Sequence, residues 1–505
     1  MSQKQKTQNK GFLAWVERVG NKIPHPFIMF LWLIVIVAVL SFVLNLMGVS
    51  AENPATGEVV VVKNLLSGEG INHALTSMVK NFTGFAPLGL ILTMTLGIGL
   101  AEEVGFMSSL MRKTMLGAPT RIVTFAIALI GICGNIASDA AIVIIPPLAA
   151  MIFMSLGRNP IAGIAIGYAA TTGGFSANLL PAGTDALLAG ITNEASKIVG
   201  APEIPITANW YIMVVSTFIL AFVVSIMSEK YLEPKLGKYT GSKQIEAQEV
   251  TLEENAGLKS AGIGALIYIG LLVIALVPKN SFLRNAETGK ILTGSPFMSG
   301  LIPILLILFL VTSIPYATKV GKIKSSGDVP KVMTKAINTM SGFIVLAFII
   351  GQFISYFNWT NLGQVLAIGG SNILRDIGFT GVGLFIGYII LCAFVNLFIG
   401  SGSAKWALLA PIFVPMFALL GYHPAWTQFL YRMGDSSTNI ISPLFTYFPI
   451  ILAYMNEYDE EAGVGTLLSM MIPYSAAILI AWVILGFIWY FIGSLPLGPG
   501  GFIFM

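Results

Sequence analysis

Charge is scarce in this chain. Only 10% of its 505 residues are Asp, Glu, Lys or Arg, and 55% are hydrophobic; soluble domains carry about 25% charged residues. That balance excludes an ordinary water-soluble domain. Cysteine is scarcer still. Cys133 and Cys392 both stand inside apolar runs, so neither a disulfide framework nor a metal site is suggested. Histidine is nearly absent too. His25, His73 and His423 lie near the ends of apolar runs or in a loop, there is no H-E-x-x-H, and none is an obvious proton relay. The alternating ten-residue strands of an outer-membrane barrel are missing. An enzyme would need a nucleophile with a base, or a metal set, and none is in view. No nucleic-acid partner is implied.

What the chain does have is long apolar runs. About 20 such residues cross a bilayer, and nine stretches qualify: 27–48, 84–101, 162–180, 208–228, 260–278, 298–315, 340–357, 425–452 and 466–492. The first is long for a signal peptide and no small-residue cleavage site follows it, so it reads as a retained span. Two further apolar regions, 122–156 and 380–420, are interrupted. The opening arm of the first, "IVTFAIALIGIC" (122–133), has 12 residues, too few for an ordinary span. Both regions read as hairpins that enter and leave on one face. The expectation is an all-α polytopic membrane protein with nine transmembrane helices and two re-entrant helical hairpins.

Positive charge orients this layout. With the N-terminus in the cytoplasm, 19 Lys and Arg fall on the cytoplasmic side and 7 outside, while Lys405 and Arg432 fall within apolar regions. The C-terminus is then outside. The expected divisions are an N-terminal tail, first span and outer loop (1–83), a first repeat (84–228), a cytoplasmic linker (229–259), two scaffold spans with a basic segment (260–339), a second repeat (340–492) and a C-terminal tail (493–505). The basic segment 316–339 suits anionic headgroups.

The repeats are visible in matched motifs. "GNIASDAAIVIIPPLAAM" resembles "FIGSGSAKWALLAPIFVPM": Ser138 and Ser403 are each followed eight positions later by a proline, Pro146 and Pro411. Downstream, "GGFSANLLPAGTD" has Ser176, Asn178 and Pro181, and "GDSSTNIISPLF" has Ser437, Asn439 and Pro443. Charge topology gives the two hairpins opposite entry faces. An inverted repeat with interrupted helices in matching positions points to a secondary transporter with its site between the repeats. Broken helices expose N–H groups to anions and carbonyls to cations.

Ionisable residues inside a membrane are costly and mark function. Asp139, Lys405, Arg432 and Asp435 lie at the interruptions, and Asp185 follows one. Arg432 and Asp435 either serve a substrate carboxylate and a cation or pair internally. Asp185 lies in the cavity or opens the outer loop. Asp139 is cation-linked or an N-cap, and Lys405 binds substrate or snorkels to water. Trp406 stacks on an aromatic substrate or anchors a hairpin tip.

"SGSAKWALLAPIFVPMF", "YRMGDSSTNIISPL" and "TTGGFSANLLPAGTDAL" resemble the AbgT family of bacterial p-aminobenzoyl-glutamate transporters over essentially the whole chain. The layout is more distantly similar to divalent-anion/sodium symporters, but their Ser-Asn-Thr hairpin tips are replaced here by Ser138-Asp139-Ala140 and Ser401-Gly402-Ser403. The resemblance implies a homodimer in the bacterial inner membrane, with an elevator-like transport domain moving against a scaffold. It implies p-aminobenzoyl-glutamate or related aromatic carboxylates as substrate, coupled to sodium or protons, with no other cofactor. Export of p-aminobenzoate and sulfonamide drugs driven by protons is the alternative. The matching positions are Asp185, Ser403, Trp406, Arg432 and Pro443 for substrate, with Asn178 and Asn439 beside them. For the cation they are Asn396, Gly400 and Asp435, with Asp139, and sodium falls to Asn396 and Asp435.

The topology has a direct test. In intact cells, Lys290→Cys should react with a membrane-impermeant maleimide and Lys238→Cys should not. The opposite labelling pattern would reverse the orientation.

Overall fold

Backbone polar groups inside hydrocarbon have no water to pair with, so the chain satisfies them within helices. The computed structural model describes residues 24–52, 57–137, 140–241, 249–292 and 294–505. Among these residues, eight helices are long and apolar enough to cross a bilayer. One of the eight, Gly402–Leu419, is the second arm of the second hairpin. The other seven coincide with expected spans. The two spans left over are broken into shorter helices. The architecture is therefore nine transmembrane helices, two of them interrupted, with two hairpins in an inverted repeat.

In chain order, α1 is Pro26–Leu46, followed by a small antiparallel pair, β1 (Ser50–Glu52) and β2 (Val59–Val61). The first set comprises α2 (Gly68–Thr83), α3 (Ala86–Glu103), α4 (Phe106–Leu116), hairpin arms α5 (Val123–Cys133) and α6 (Ala140–Ser155), broken halves α7 (Pro160–Tyr168) and α8 (Gly183–Ser196), and α9 (Trp210–Ile226). Next come α10 (Leu252–Leu276), α11 (Leu301–Lys319) and the short α12 (Asp328–Asn338). The second set is α13 (Ser341–Trp359), α14 (Leu362–Asp376), arms α15 (Val382–Asn396) and α16 (Gly402–Leu419), halves α17 (Pro424–Thr438) and α18 (Phe448–Asn456), and α19 (Val464–Ile492). From α3 and α13 onward the two sets run in the same order. The chain turns by 105° between α4 and the first hairpin arm.

Glycines let the broken spans approach the hairpins. A Cβ at Gly163 of α7 would stand 2.5 Å from the Ala149 carbonyl oxygen, and one at Gly167 would stand 2.7 Å from Pro146 Cα. A Cβ at Gly434 of α17 would stand 2.6 Å from the Ile389 carbonyl oxygen of α15. Close backbone contact through small residues is how membrane helices gain dispersion energy, because lipid offers no hydrophobic drive between them. By contrast, α10 leaves Leu266 and Ile274 at least 70% exposed, as a lipid-facing helix should.

Several boundaries differ from expectation. Helix α10 begins inside the segment read as linker, because Thr251 and Glu254 form a reciprocal cap: Glu254 accepts from Thr251 N–H at 2.9 Å, and Thr251 Oγ1 accepts from Glu254 N–H at 3.1 Å. Glu254 also pairs with Arg112. The first broken span runs on to Ser196, not 180, so Asp185 opens its second half. The last residues pack as well: His423 N–H donates to the Ile503 carbonyl at 2.9 Å, and Leu497 and Ile503 are buried.

Gly434→Val should force α17 away from α15. Overpacking of this kind costs about 1–3 kcal/mol. A lowered unfolding temperature in detergent is the expected result, and an unchanged one would contradict the packing.

Candidate functional site

Each broken span must satisfy the backbone groups its break releases. In the first, α7 runs into a π-helical turn, Ala169–Gly173, and helix resumes at Gly183. In the second, α17 ends in a short 3-10 turn, Asn439–Ile441, and helix resumes at Phe448. Ser436 of α17 stitches the first break: its Oγ donates to the Gly173 carbonyl at 2.9 Å and accepts from Ser176 N–H at 3.1 Å. Asp185 accepts from Ala182 N–H at 2.7 Å, serving the start of α8.

Two buried ion pairs lie at these breaks. Arg432 Nη2 stands 2.7 Å from Asp185 Oδ1, joining the second repeat to the first, while Arg432 Nε has no hydrogen-bond partner among the described residues. Lys405 Nζ stands 2.5 Å from Asp435 Oδ1 and also bonds Asn396 Oδ1. Lys405 therefore does not snorkel: it is 1% exposed. Arg432 and Asp435 are neighbours on one helix yet pair elsewhere, so the internal i,i+3 pair is not formed. Asn396 Nδ2 reaches the Asp435 carbonyl at 2.6 Å, Thr438 Oγ1 at 2.8 Å and Asn439 Oδ1 at 2.9 Å. Asn396 and Asp435, the residues expected to hold sodium, both meet Lys405 here. In this structure the cation those side-chain oxygens meet is the protein's own ammonium. Its long stem, one turn into α16, reaches them across the hairpin.

A cavity of about 330 Å³ lies between the second hairpin tip and the two breaks. Gly400, Ser401, Gly402, Ser403, Asp435 and Asn439 give it a polar side; Phe175, Tyr431, Phe445 and Tyr447 give it aromatic walls. Ser401 caps α16 by accepting from Ala404 N–H at 3.3 Å. Both α16 and α8 begin at this cavity, through Gly402 and Thr184, and helix N-termini favour anions. Tyr431 OH donates to the Gly402 carbonyl at 2.6 Å and lies 3.1 Å from Asp435 Oδ1.

Not every expected site residue lines this space. Trp406 is fully buried behind Tyr431, with ring centroids 4.6 Å apart. Its Nε1 donates to Leu188 O and Thr192 Oγ1, both at 3.1 Å. Thr192 donates to Gln428 Oε1 at 2.7 Å, and Gln428 to Asn209 Oδ1 at 2.9 Å. Trp406 thus ties α16 to α8 and holds Tyr431, and the ring presented to the cavity is Tyr431. Asp185 and Arg432 sit behind the wall as a pair. Asn178 is buried, Pro443 is partly buried in the second break, and Gly400 packs against the Leu444 carbonyl. Asp139 lies outside the described residues. Phe175, Tyr431 and Tyr447 were not singled out from the sequence. Their positions next to Ser176, next to Arg432 and inside the second break were the available signal.

A polytopic helical membrane protein with hairpin tips and interrupted helices around a buried polar cavity has the architecture of a secondary transporter. The AbgT transporter family matches residues 11–505, and the chain belongs to it. It is similar to the p-aminobenzoyl-glutamate transport protein of Escherichia coli K12, with 40% identity over 98% of this chain and 97% of that one. It is also similar in structure to the Alcanivorax borkumensis YdaH transporter, with TM-score 0.90 and 37% identity, covering 94% of this chain and all of that one. Neisseria gonorrhoeae MtrF, described as an antimetabolite efflux pump, gives TM-score 0.90 and 42% identity, covering 97% of this chain and all of MtrF. The chain is a transporter, not an enzyme.

Removing one member of a buried ion pair costs about 3–5 kcal/mol, because the other charge is left unpaired. Lys405→Met should therefore lower the unfolding temperature sharply. Lys405→Met with Asp435→Asn should recover much of the loss. A double variant no more stable than the single one would rule out the pair as the cause.

Proposed function

We propose that this chain is a secondary active transporter of p-aminobenzoyl-glutamate or related aromatic carboxylates. The observation that carries the reading is the cavity: aromatic walls on one side, two helix N-termini on another, and the Asp435–Lys405 pair at its edge. The aromatic ring packs between Tyr431 and Phe175 or Tyr447, and the carboxylates lie toward Ser401, Ser403 and the starts of α16 and α8. Arg432, held by Asp185, adds positive potential from behind the wall. Asn178, Asn439 and Pro443 shape the breaks around the substrate.

Transport follows alternating access. The repeats' hairpins and broken spans move as an elevator-like unit against a scaffold, in a homodimer in the bacterial inner membrane with the N-terminus cytoplasmic and the C-terminus outside. Sodium or protons drive it, since a cation moving down the potential supplies about 2.3 kcal/mol per 100 mV. For a cation to use Asn396, Gly400 and Asp435, Lys405 must withdraw from Asp435. Outward movement of p-aminobenzoate and sulfonamides, driven by protons, is a second reading, and it is favoured by the resemblance to the gonococcal efflux pump.

The test is flux in proteoliposomes with imposed sodium, proton or no gradient, loaded inside or outside with p-aminobenzoyl-glutamate. Wild type should accumulate substrate under one gradient. Asp435→Asn and Tyr431→Ala should each lose about tenfold or more of that flux, at least 1.4 kcal/mol, while keeping the wild-type oligomer by size exclusion. Wild-type flux in both variants would remove the site. Accumulation only with outward orientation would select the exporter.

A further inference from the structure

A second groove, of about 610 Å³, lies between α4, α10 and α11, away from the substrate cavity and on the side where the positive charges cluster. Helix α4 gives it one face: Phe106, Leu110, Lys113 and Gly117 follow at intervals of four, three and four residues. Helix α10 gives it Leu258, Ala261 and Ala265, on the same helical face as Glu254, with Lys259 and Gly262 beside them. Thr312 of α11 completes the wall.

Polarity is divided along this groove. Lys113 and Lys259 are exposed, the lining holds no carboxylate, and neither lysine has an ion-pair partner among the described residues. Glu254, the carboxylate on that face of α10, is taken by Arg112 and Ser109. Beyond the lysines the walls are apolar. The Thr312 and Thr114 hydroxyls donate to Leu308 O at 2.9 Å and Leu110 O at 2.8 Å, so both are satisfied within their own helices. A Cβ at Gly262 would meet nothing within 4 Å, so the groove is open there. Lys259 to Ala265 spans about 9 Å along the helix axis, against a leaflet hydrocarbon depth of about 15 Å. An apolar groove open to hydrocarbon is filled by an acyl chain, because a void forfeits dispersion contacts. Two free ammonium groups at its mouth select an anionic headgroup.

We propose that this groove binds an anionic diacyl phospholipid, with its phosphate between Lys113 and Lys259 and one acyl chain along Leu258, Ala261, Gly262 and Ala265. Basic pockets between membrane helices hold such headgroups. The lipid bridges α4, which leads into the first hairpin, to α10 and α11. Any effect on flux rests on the transport reading above; the binding does not.

The experiment titrates the full chain in detergent with phosphatidylglycerol or with phosphatidylcholine of the same acyl chains, and counts retained lipid by native mass spectrometry. Lys113→Gln and Lys259→Gln should each weaken phosphatidylglycerol retention about fivefold, the equivalent of about 1 kcal/mol per basic residue near an anionic headgroup. Wild type should therefore prefer phosphatidylglycerol about 25-fold, and the double variant should lose that preference. Gly262→Leu fills the groove without touching either charge and should weaken phosphatidylglycerol retention about tenfold, which tests the acyl seat separately from the headgroup. Equal retention of the two lipids by wild type, or wild-type retention in the double variant or in Gly262→Leu, overturns the proposal. Displacement of the lipid by an equal concentration of glycerol phosphate also overturns it, by reducing the site to a phosphate contact. Dissociation of the oligomer by Gly262→Leu with lipid retention unchanged would give the groove to a second copy of the chain instead. Selective retention without p-aminobenzoyl-glutamate flux in phosphatidylglycerol proteoliposomes would refute the transport reading alone, and flux without selective retention would refute this site alone.

Discussion

The Arg432–Asp185 ion pair joins the two interrupted spans where both side chains are largely shielded from solvent, and much of the site follows from that requirement. A charge placed in hydrocarbon must be matched in position, or the structure loses several kcal/mol. Matching Arg432 of α17 with Asp185 of α8 fixes the second half of one broken span against the first half of the other. Ser436 does the same for neutral groups, holding the first break's carbonyl and amide at once. The cavity lies between elements fixed this way, so its walls are set by electrostatics as much as by packing.

The second hairpin is held by a different device. Lys405 spans from α16 to Asn396 and Asp435, and Trp406, the next residue, bonds α8 through Leu188 and Thr192. Adjacent residues on a helix point about 100° apart, so one residue closes the hairpin on its own repeat while the other ties it to the opposite repeat. A shift of α16 would strain both contacts. The hairpin tip, with Gly400, Ser401 and Gly402 on the cavity, is left to meet a solute.

The repeats are alike in architecture and unlike in charge. The second carries Lys405 and Asp435 where the first carries Ala140 and Gly174. In the second, the Lys405 ammonium pairs with Asp435 and Asn396. In the first, Asn135 and Asn178 are buried without that pair.

The sequence alone determined the membrane class, the nine spans, the two hairpins and the repeat, because each follows from hydropathy, length or spacing along the chain. The short arm 122–133 and the matched S-x-N pairs were enough to locate both breaks. Asp185, Arg432, Lys405 and Asp435 stood out for the same reason: charge in an apolar run is visible without coordinates. Which of them pair was decided only in three dimensions. The i,i+3 spacing of Arg432 and Asp435 suggests a local bond, yet their partners come from residues 185 and 405, brought close by folding. Trp406 looked like a substrate surface, and only tertiary packing put Tyr431 in front of it. Local pattern reports what must be buried; the identity of the partner depends on which helices meet, and that is a property of the whole fold.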